Sequence, residues 1–180
     1  MEVLMTESQN LQTEKVFVAK SLYRELQQGS DISHLVFNDM VQLVQGNPNL
    51  DDKKVMAQIN QSLPLRRQYM QLLKQFSFAY SPAQAAASSS DKVTQRLSDG
   101  FELLYKEDKQ FSGQVYVILK IDNPKEKHIN IGVNVNCCYQ NEIVSVHFPN
   151  VSDGKTQILM DASDLRFQQL FDPEIEIYLV

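Results

Sequence analysis

The chain has 180 residues, of which 43% are hydrophobic and 22% are charged, and its formal net charge is −5 at pH 7. This composition is typical of a globular protein, and no apolar run approaches the roughly 20 residues that a membrane-spanning helix needs. The net charge lies in the second half, because residues 91–180 hold 9 basic and 14 acidic side chains whereas residues 1–90 hold 8 of each. We therefore expect no membrane insertion and no basic face for nucleic acid.

The first half of the chain has the periodicity of short amphipathic helices, and four are predicted. They start near Thr13, Ser33 or Asn38, Asn49 or Leu50, and Pro64, and the last extends to about Tyr80. Gly29 and the segment GNP after Gln45 are stop signals for the first two helices. Such helices are stable only when they pack on one another, so a small helical bundle is predicted over residues 1–81.

The fourth helix has the clearest apolar stripe. Leu65, Tyr69, Leu72 and Phe76 recur at steps of four, three and four residues, which places them on one face. This stripe either completes the core of the helical domain or extends into an exposed groove for a partner.

An Ala/Ser-rich segment, SPAQAAASSSDK, follows the helices. It contains nothing large to bury, and it predicts a flexible or weakly helical linker over residues 82–96.

After the linker the hydrophobic period changes from 3.6 to 2. Apolar and polar residues alternate in INIGVNVN (129–136), the pattern of a half-buried antiparallel strand. In QVYVILKI (114–121) four aliphatic residues share one face with Tyr116 and Ile118 opposite, which fits a strand covered on both sides. A helical turn is predicted within 163–171. The fold class is therefore α+β, with an antiparallel β-sandwich over 97–180, although a small barrel fits the length equally well.

Few residues offer chemistry. Cys137 and Cys138 are neighbours in a strand and point to opposite faces, so a disulfide between them would strain the backbone. The histidines, His34, His128 and His147, have no zinc-site spacing. A nucleophile pair of either cysteine with His147 could form across a hairpin, but no oxyanion-hole motif accompanies it. We expect no catalytic residue, no cofactor and no metal, and the absence of a secretory signal predicts a cytoplasmic location.

Residues 34–76 contain three helical segments in a recognisable order. A short helix ends at a glycine (DMVQLVQGN), a helix with an acidic start follows (NLDDKKVMAQIN), and a long helix comes after a proline turn (PLRRQYMQLLKQF). This order resembles the helical domain of bacterial anti-sigma factors. The resemblance is to the zinc-free branch, because the family's His/Cys motif is absent, and the family's usual transmembrane helix is also absent. It implies helices that bind a sigma factor and keep it from RNA polymerase.

The final segment, DGKTQILMDASDLRFQQLFDPEIEIYLV, resembles small immunoglobulin-like or carrier-type sandwich domains, which bind or space other domains. The two resemblances together imply a non-enzymatic regulator that binds and occludes a protein partner such as a sigma factor. The helical residues expected to contact that partner are Met40, Leu43, Val44, Met70, Leu73 and Phe76.

Two other functions are compatible with the sequence. The protein could be an adaptor or accessory subunit of a multiprotein stress-response, defence or secretion system, using an edge strand or the acidic rim of the β domain. It could also be a hydrolase that uses Cys138 or His147. The sequence leaves the oligomeric state open.

Overall fold

A computed structural model of the chain describes residues 34–46, 52–83, 94–124, 130–139 and 142–180. Within these ranges the protein is α+β, with four helices and two antiparallel sheets of four strands each. The chain divides into two compact units, Met1–Phe76 and Ser77–Val180. The predicted helix that starts at Thr13 lies outside the described residues, as does most of the predicted linker.

Three helices make up the described part of the first unit, and each contacts the other two. They are α1 (His34–Gln45), α2 (Asp52–Gln61) and α3 (Leu63–Phe76). Gly46 follows α1 with φ of +74°, a conformation that ends helices and that only glycine adopts without strain. Pro64 occupies the first turn of α3, where its missing N–H has no helical partner to lose. These features agree with the predicted starts and stops.

The predicted stripe on α3 is buried along most of its length. Leu65, Tyr69 and Leu72 are buried, and Phe76 is partly exposed at the end of the helix. α3 ends at Phe76 rather than near Tyr80 as the periodicity predicts. The next residues form a strand instead, and pairing with the C-terminal strand satisfies their backbone groups in place of helical hydrogen bonds.

In the described part of the second unit there are eight strands and one helix. The strands are β1 (Ala79–Ser81), β2 (Gln95–Ser98), β3 (Phe101–Glu107), β4 (Gln114–Ile121), β5 (Val133–Tyr139), β6 (Glu142–Phe148), β7 (Lys155–Asp161) and β8 (Glu176–Leu179), and the helix is α4 (Leu165–Phe171). The first sheet has the order β1-β8-β5-β6 and the second sheet β2-β3-β4-β7. α4 confirms the helical turn predicted between β7 and β8, whereas β1 and β2 were not predicted.

The two sheets contribute to one hydrophobic core. On β4, burial alternates strictly: Val115, Val117, Leu119 and Ile121 are buried, and the residues between them are partly exposed. The interpretation that β4 is covered on both sides is therefore wrong for Tyr116 and Ile118. The alternation shows that one face of the second sheet meets the core and the other does not.

The strand predicted over 129–136 begins and ends later than expected, since β5 runs from Val133 to Tyr139. Gly132 has φ of +97°, outside the extended region, and so breaks the strand that the alternation predicts. Ile131, predicted to face the core, is consequently exposed.

A buried arginine joins the edges of the two sheets. Arg96 on β2 is 2% exposed, and burial lowers the pKa of its guanidinium. Its nitrogens donate to Ser81 Oγ at 3.0 Å, to the carbonyl oxygens of Asp172 and Pro82 at 2.9 and 3.1 Å, and to that of Ile175. Because β1 and β2 are edge strands of different sheets, these bonds hold one edge of each sheet to the segment between α4 and β8.

We expect Arg96→Met to lower the free energy of unfolding by about 3 kcal/mol, since it leaves buried carbonyl groups without their charged donor. Arg166→Met is the matched control. Arg166 is exposed and pairs with Asp164 at 2.6 Å, so its loss is expected to cost less than about 1 kcal/mol. Urea denaturation followed by circular dichroism measures both, because the chain has no tryptophan. Equal losses in the two variants would contradict the role assigned to Arg96.

We also expect Gly132→Ala to destabilise the second unit more than Gly113→Ala does. Both glycines have positive φ, at +97° and +91°, so each substitution strains the backbone by about 1–2 kcal/mol. A Cβ at residue 132 would in addition overlap the backbone oxygen of Phe148, whereas a Cβ at residue 113 meets nothing within 4 Å. The melting temperatures of the two variants test this order, and a smaller loss for Gly132→Ala would refute it.

Candidate partner-binding site

The six residues predicted to contact a partner lie on α1 and α3. Four of them are buried, namely Met40, Leu43, Val44 and Leu73. The other two, Met70 and Phe76, are partly exposed. The four buried residues could touch a partner only after the helices separate. Their role in partner contact stays a prediction.

Exposed large apolar side chains are a more direct mark of a protein-binding surface. Among the described residues there are eight: Leu63, Tyr80, Leu97, Phe111, Ile131, Tyr139, Leu159 and Leu165. Seven of the eight belong to the second unit. The β unit therefore offers more exposed apolar surface than the described helices do.

Two of these residues lie on the outer face of the second sheet, at its opposite edges. Leu97 on β2 is 63% exposed and Leu159 on β7 is 50% exposed. Residues directly opposite on antiparallel strands share a face, which places Leu159 beside Tyr116. Leu104 and Ile118 also pair on this face, and they and Tyr116 are partly exposed. We call the surface formed by Leu97, Leu104, Tyr116, Ile118 and Leu159 the open face.

A polar row crosses the open face. Glu102 faces Leu97 on one side and Lys120 on the other. The Lys120 ammonium lies 2.5 Å from the Glu102 carboxylate, and this hydrogen bond holds the pKa of Glu102 below its usual range. Lys155 continues the row on β7. Because the pair is partly solvated, it contributes little to stability, and it supplies polarity and orientation beside the apolar residues.

Burial in β2 runs against the hydrophobicity of its residues. Arg96 is buried and its neighbour Leu97 is exposed, although transferring a leucine side chain from water to a core is worth about 1.5–3 kcal/mol. The hydrogen bonds of Arg96 account for this register, since charged hydrogen bonds contribute about 1.5–3 kcal/mol each. Leu97 is therefore held on the open face by the interactions of its neighbour.

The cysteines and His147 do not form a nucleophile pair. Cys137 faces the core, and burial raises the pKa of its thiol to about 12. Cys138 lies on the other face of β5, opposite Ile143. His147 is exposed, as predicted, and its Nδ1 lies 2.8 Å from Asn134 Oδ1. His147 pairs with Asn134, and Cys138 lies four residues further along β5. Cys138 is therefore about 13 Å along the strand from the position of His147.

Comparisons with known proteins assign no family to this arrangement. The chain matches no protein-family model, no curated protein and no solved structure. Within the described ranges, no three His, Cys, Asp or Glu side chains are grouped so as to hold a metal ion. None of the described helices has the length and apolar character required to cross a membrane. The resemblance to anti-sigma factors stays a prediction.

The exposure of Leu97 and Leu159 is not evident from the sequence. Leu159 sits between Ile158 and Met160, so alternation does not reveal which of the three faces outward. The pairing of β7 with β4 decides it. Leu97 is a single apolar residue in a short polar segment. Its position on the outer face of the sheet becomes clear once Arg96 is known to be buried on the inner face.

We expect Cys137 to react slowly with iodoacetamide in the native protein at about pH 8, because the thiolate is the reactive form. A pKa raised from 9.0 to about 12 lowers the thiolate fraction about 1000-fold, and burial also restricts access. In urea the same thiol should react at an ordinary rate. The Cys138→Ala variant, whose only thiol is Cys137, allows both rates to be measured by mass spectrometry, and equal rates would contradict the burial of Cys137.

The raised pKa of the Cys137 thiol also makes folding less favourable as the pH rises from about 9 towards 12, since the unfolded chain releases the proton first.

Proposed function

We propose that this protein is a non-enzymatic regulatory protein that binds another protein and occludes part of its surface. The observation that carries the proposal is the open face, where Leu97 is exposed while its neighbour Arg96 is buried. Exposed apolar residues that line one face of a sheet are a typical protein-binding surface, particularly beside polar residues that fix orientation.

The proposal includes an interpretation of the fold. The two sheets, which share one core, are best described as a β-sandwich, and the contacting helices α1–α3 as part of a helical bundle. A sandwich with a filled core is a rigid support for a binding face. Such a face loses little conformational entropy on association, which favours affinity. We further propose a cytoplasmic location, which suits a regulator that carries two buried thiols.

The helix α3 offers a second candidate binding surface. Leu63 is exposed at the start of this helix, and Met70 and Phe76 remain partly exposed further along it. Met70 and Phe76 are the partly exposed members of the six residues predicted to contact a sigma factor, and Leu63 lies on the same helix. If the open face alone binds the partner, the adaptor function is the better description of the protein.

The proposal is tested by purifying the tagged full-length protein from its host and identifying bound proteins by mass spectrometry. The decisive variant is Leu97→Lys with Leu159→Lys, which places charges on the open face without altering a buried residue. We expect recovery of the specific partner to fall at least about tenfold, since two apolar contacts of ordinary strength are lost. Leu63→Lys tests the surface of α3 in the same way.

Leu165→Lys is the matched control, because Leu165 is at least as exposed as Leu97 and Leu159 but lies on α4. All variants should retain the circular dichroism spectrum and melting temperature of the parent protein. Loss of the partner with Leu63→Lys alone would move the binding site to the helices, and a sigma factor recovered in that case would support the anti-sigma function. If no variant changes what is recovered, neither surface binds the partner.

A further inference from the structure

Three aromatic rings cluster where α4 lies against the end of β3. Tyr105 on β3 packs edge to face with both Phe167 and Phe171 on α4, and the ring centroids are 5.0 Å apart in each pair. The centroids of the two phenylalanines are 5.4 Å apart. Together with Glu107, Val115, Ala162 and Gln168, the rings line a cavity of about 380 Å³. Tyr105 and Phe167 are partly exposed, so the aromatic wall of this cavity is accessible from solvent.

A carboxylate occupies an inward-facing position beside these rings. Glu107 follows Phe101, Leu103 and Tyr105 at steps of two on β3, and the first two belong to the core. Directly opposite Glu107 is Val115, which is buried. In the part of the chain that the structure describes, Glu107 has no salt-bridge partner. Glu107 itself is exposed, so its carboxylate lies at the solvent-facing end of the cavity, where the cation of a ligand can reach it.

A second cavity of about 400 Å³ adjoins the first and shares Glu107, Val115 and Ala162 with it. Its remaining wall is the turn between β3 and β4, which carries the basic side chain of Lys109 as well as the carboxylate of Asp108. There the Asp108 carboxylate accepts hydrogen bonds from the backbone N–H groups of Gln110 at 2.7 Å and Phe111 at 3.3 Å. The Gln110 bond above all holds the pKa of Asp108 below its usual range, so this side chain is ionised at neutral pH. We call the two cavities together the aromatic groove, with Glu107 at their junction.

The groove has the chemistry of a site for a cation on an apolar stem. Aromatic faces attract a cation within about 6 Å of the ring centroid, and a carboxylate beside them adds direct charge complementarity. The aliphatic stems of lysine and arginine pack well on aromatic rings while their charged ends reach an acidic group. The acidic excess of residues 91–180, with 14 acidic against 9 basic side chains, favours the approach of a basic partner.

We propose that the aromatic groove binds a basic segment of another protein, with a lysine or arginine stem against Tyr105 and Phe167 and its cation at Glu107. The second cavity, lined by the turn after β3, would hold the residues that flank it. The cation position differs from the open face, because Tyr105 and Glu107 lie on the inner side of the second sheet, although Asp108 on the adjoining turn is hydrogen-bonded to Tyr116 of the open face. The inference therefore does not depend on the proposed role of the open face.

The test is a titration of the isotope-labelled full-length protein, followed by NMR, with three short capped peptides. They carry arginine, lysine or norleucine at the centre and are otherwise alanine and leucine. We expect the arginine or the lysine peptide to bind at least about tenfold more tightly than the neutral norleucine peptide, and to shift the resonances of Tyr105 and Phe167. Whether arginine or lysine binds better identifies the preferred cation.

Three variants separate the site from general electrostatic attraction. Glu107→Gln should weaken binding of the charged peptide about fivefold or more and leave the norleucine peptide unaffected. Phe167→Leu should weaken binding of every peptide. Asp122→Asn is the control, because it removes the same charge at a position distant from the groove. Val115 lies near the start of β4, whereas Asp122 follows its last residue, so this variant should leave affinity unchanged.

The proposal is overturned if the norleucine peptide binds as well as the charged ones, which would make the groove a purely apolar site. It is also overturned if Asp122→Asn weakens binding as much as Glu107→Gln, or if the shifted resonances lie outside the groove. None of these results would bear on the open face, whose test uses different residues and the natural partner.

Discussion

The buried guanidinium of Arg96 holds together parts of the second unit that are far apart in the chain. A charge removed from water destabilises a fold by several kcal/mol unless hydrogen bonds replace its hydration. Arg96 receives that replacement from a hydroxyl on β1 and from carbonyl groups just after β1 and between α4 and β8. Since β1 and β2 are the edges of different sheets, this network fixes how one edge of each sheet meets the other.

The same network explains where the helical segment ends. The residues just after α3 fit both a helical and a strand periodicity, so their local sequence does not determine which of the two structures forms. Ser81 is fully buried at the end of β1 and accepts a hydrogen bond from Arg96. β1 pairs with β8 along its whole length. These long-range contacts, absent from any local window of sequence, turn the chain from helix to strand after Phe76.

Much of the fold could be predicted because its signals are local. The helix stop at Gly46, the proline in the first turn of α3, the alternation of β4 and the short helix before β8 all follow from neighbouring residues. The strands β1 and β2 could not be predicted, since each is stabilised by partners far along the chain. The candidate site followed the same rule: the apolar stripes of the helices were visible, but most of their residues are core. The exposure of Leu97 and Leu159 could not be predicted, because it depends on the register of β2 and β7 with their partner strands.

The register of β2 links the stability of the fold to its surface. Side chains in a strand alternate between faces, so a slip of one residue would bury Leu97 and expose Arg96. Hydrophobicity alone favours that slipped register. The native register prevails because a guanidinium has donors in a fixed geometry, and four acceptors that match them lie on the inner side of β2. A polar core contact therefore keeps an apolar side chain on the surface, where a partner can reach it. In this unit a buried arginine and an exposed leucine are therefore consequences of the same strand register.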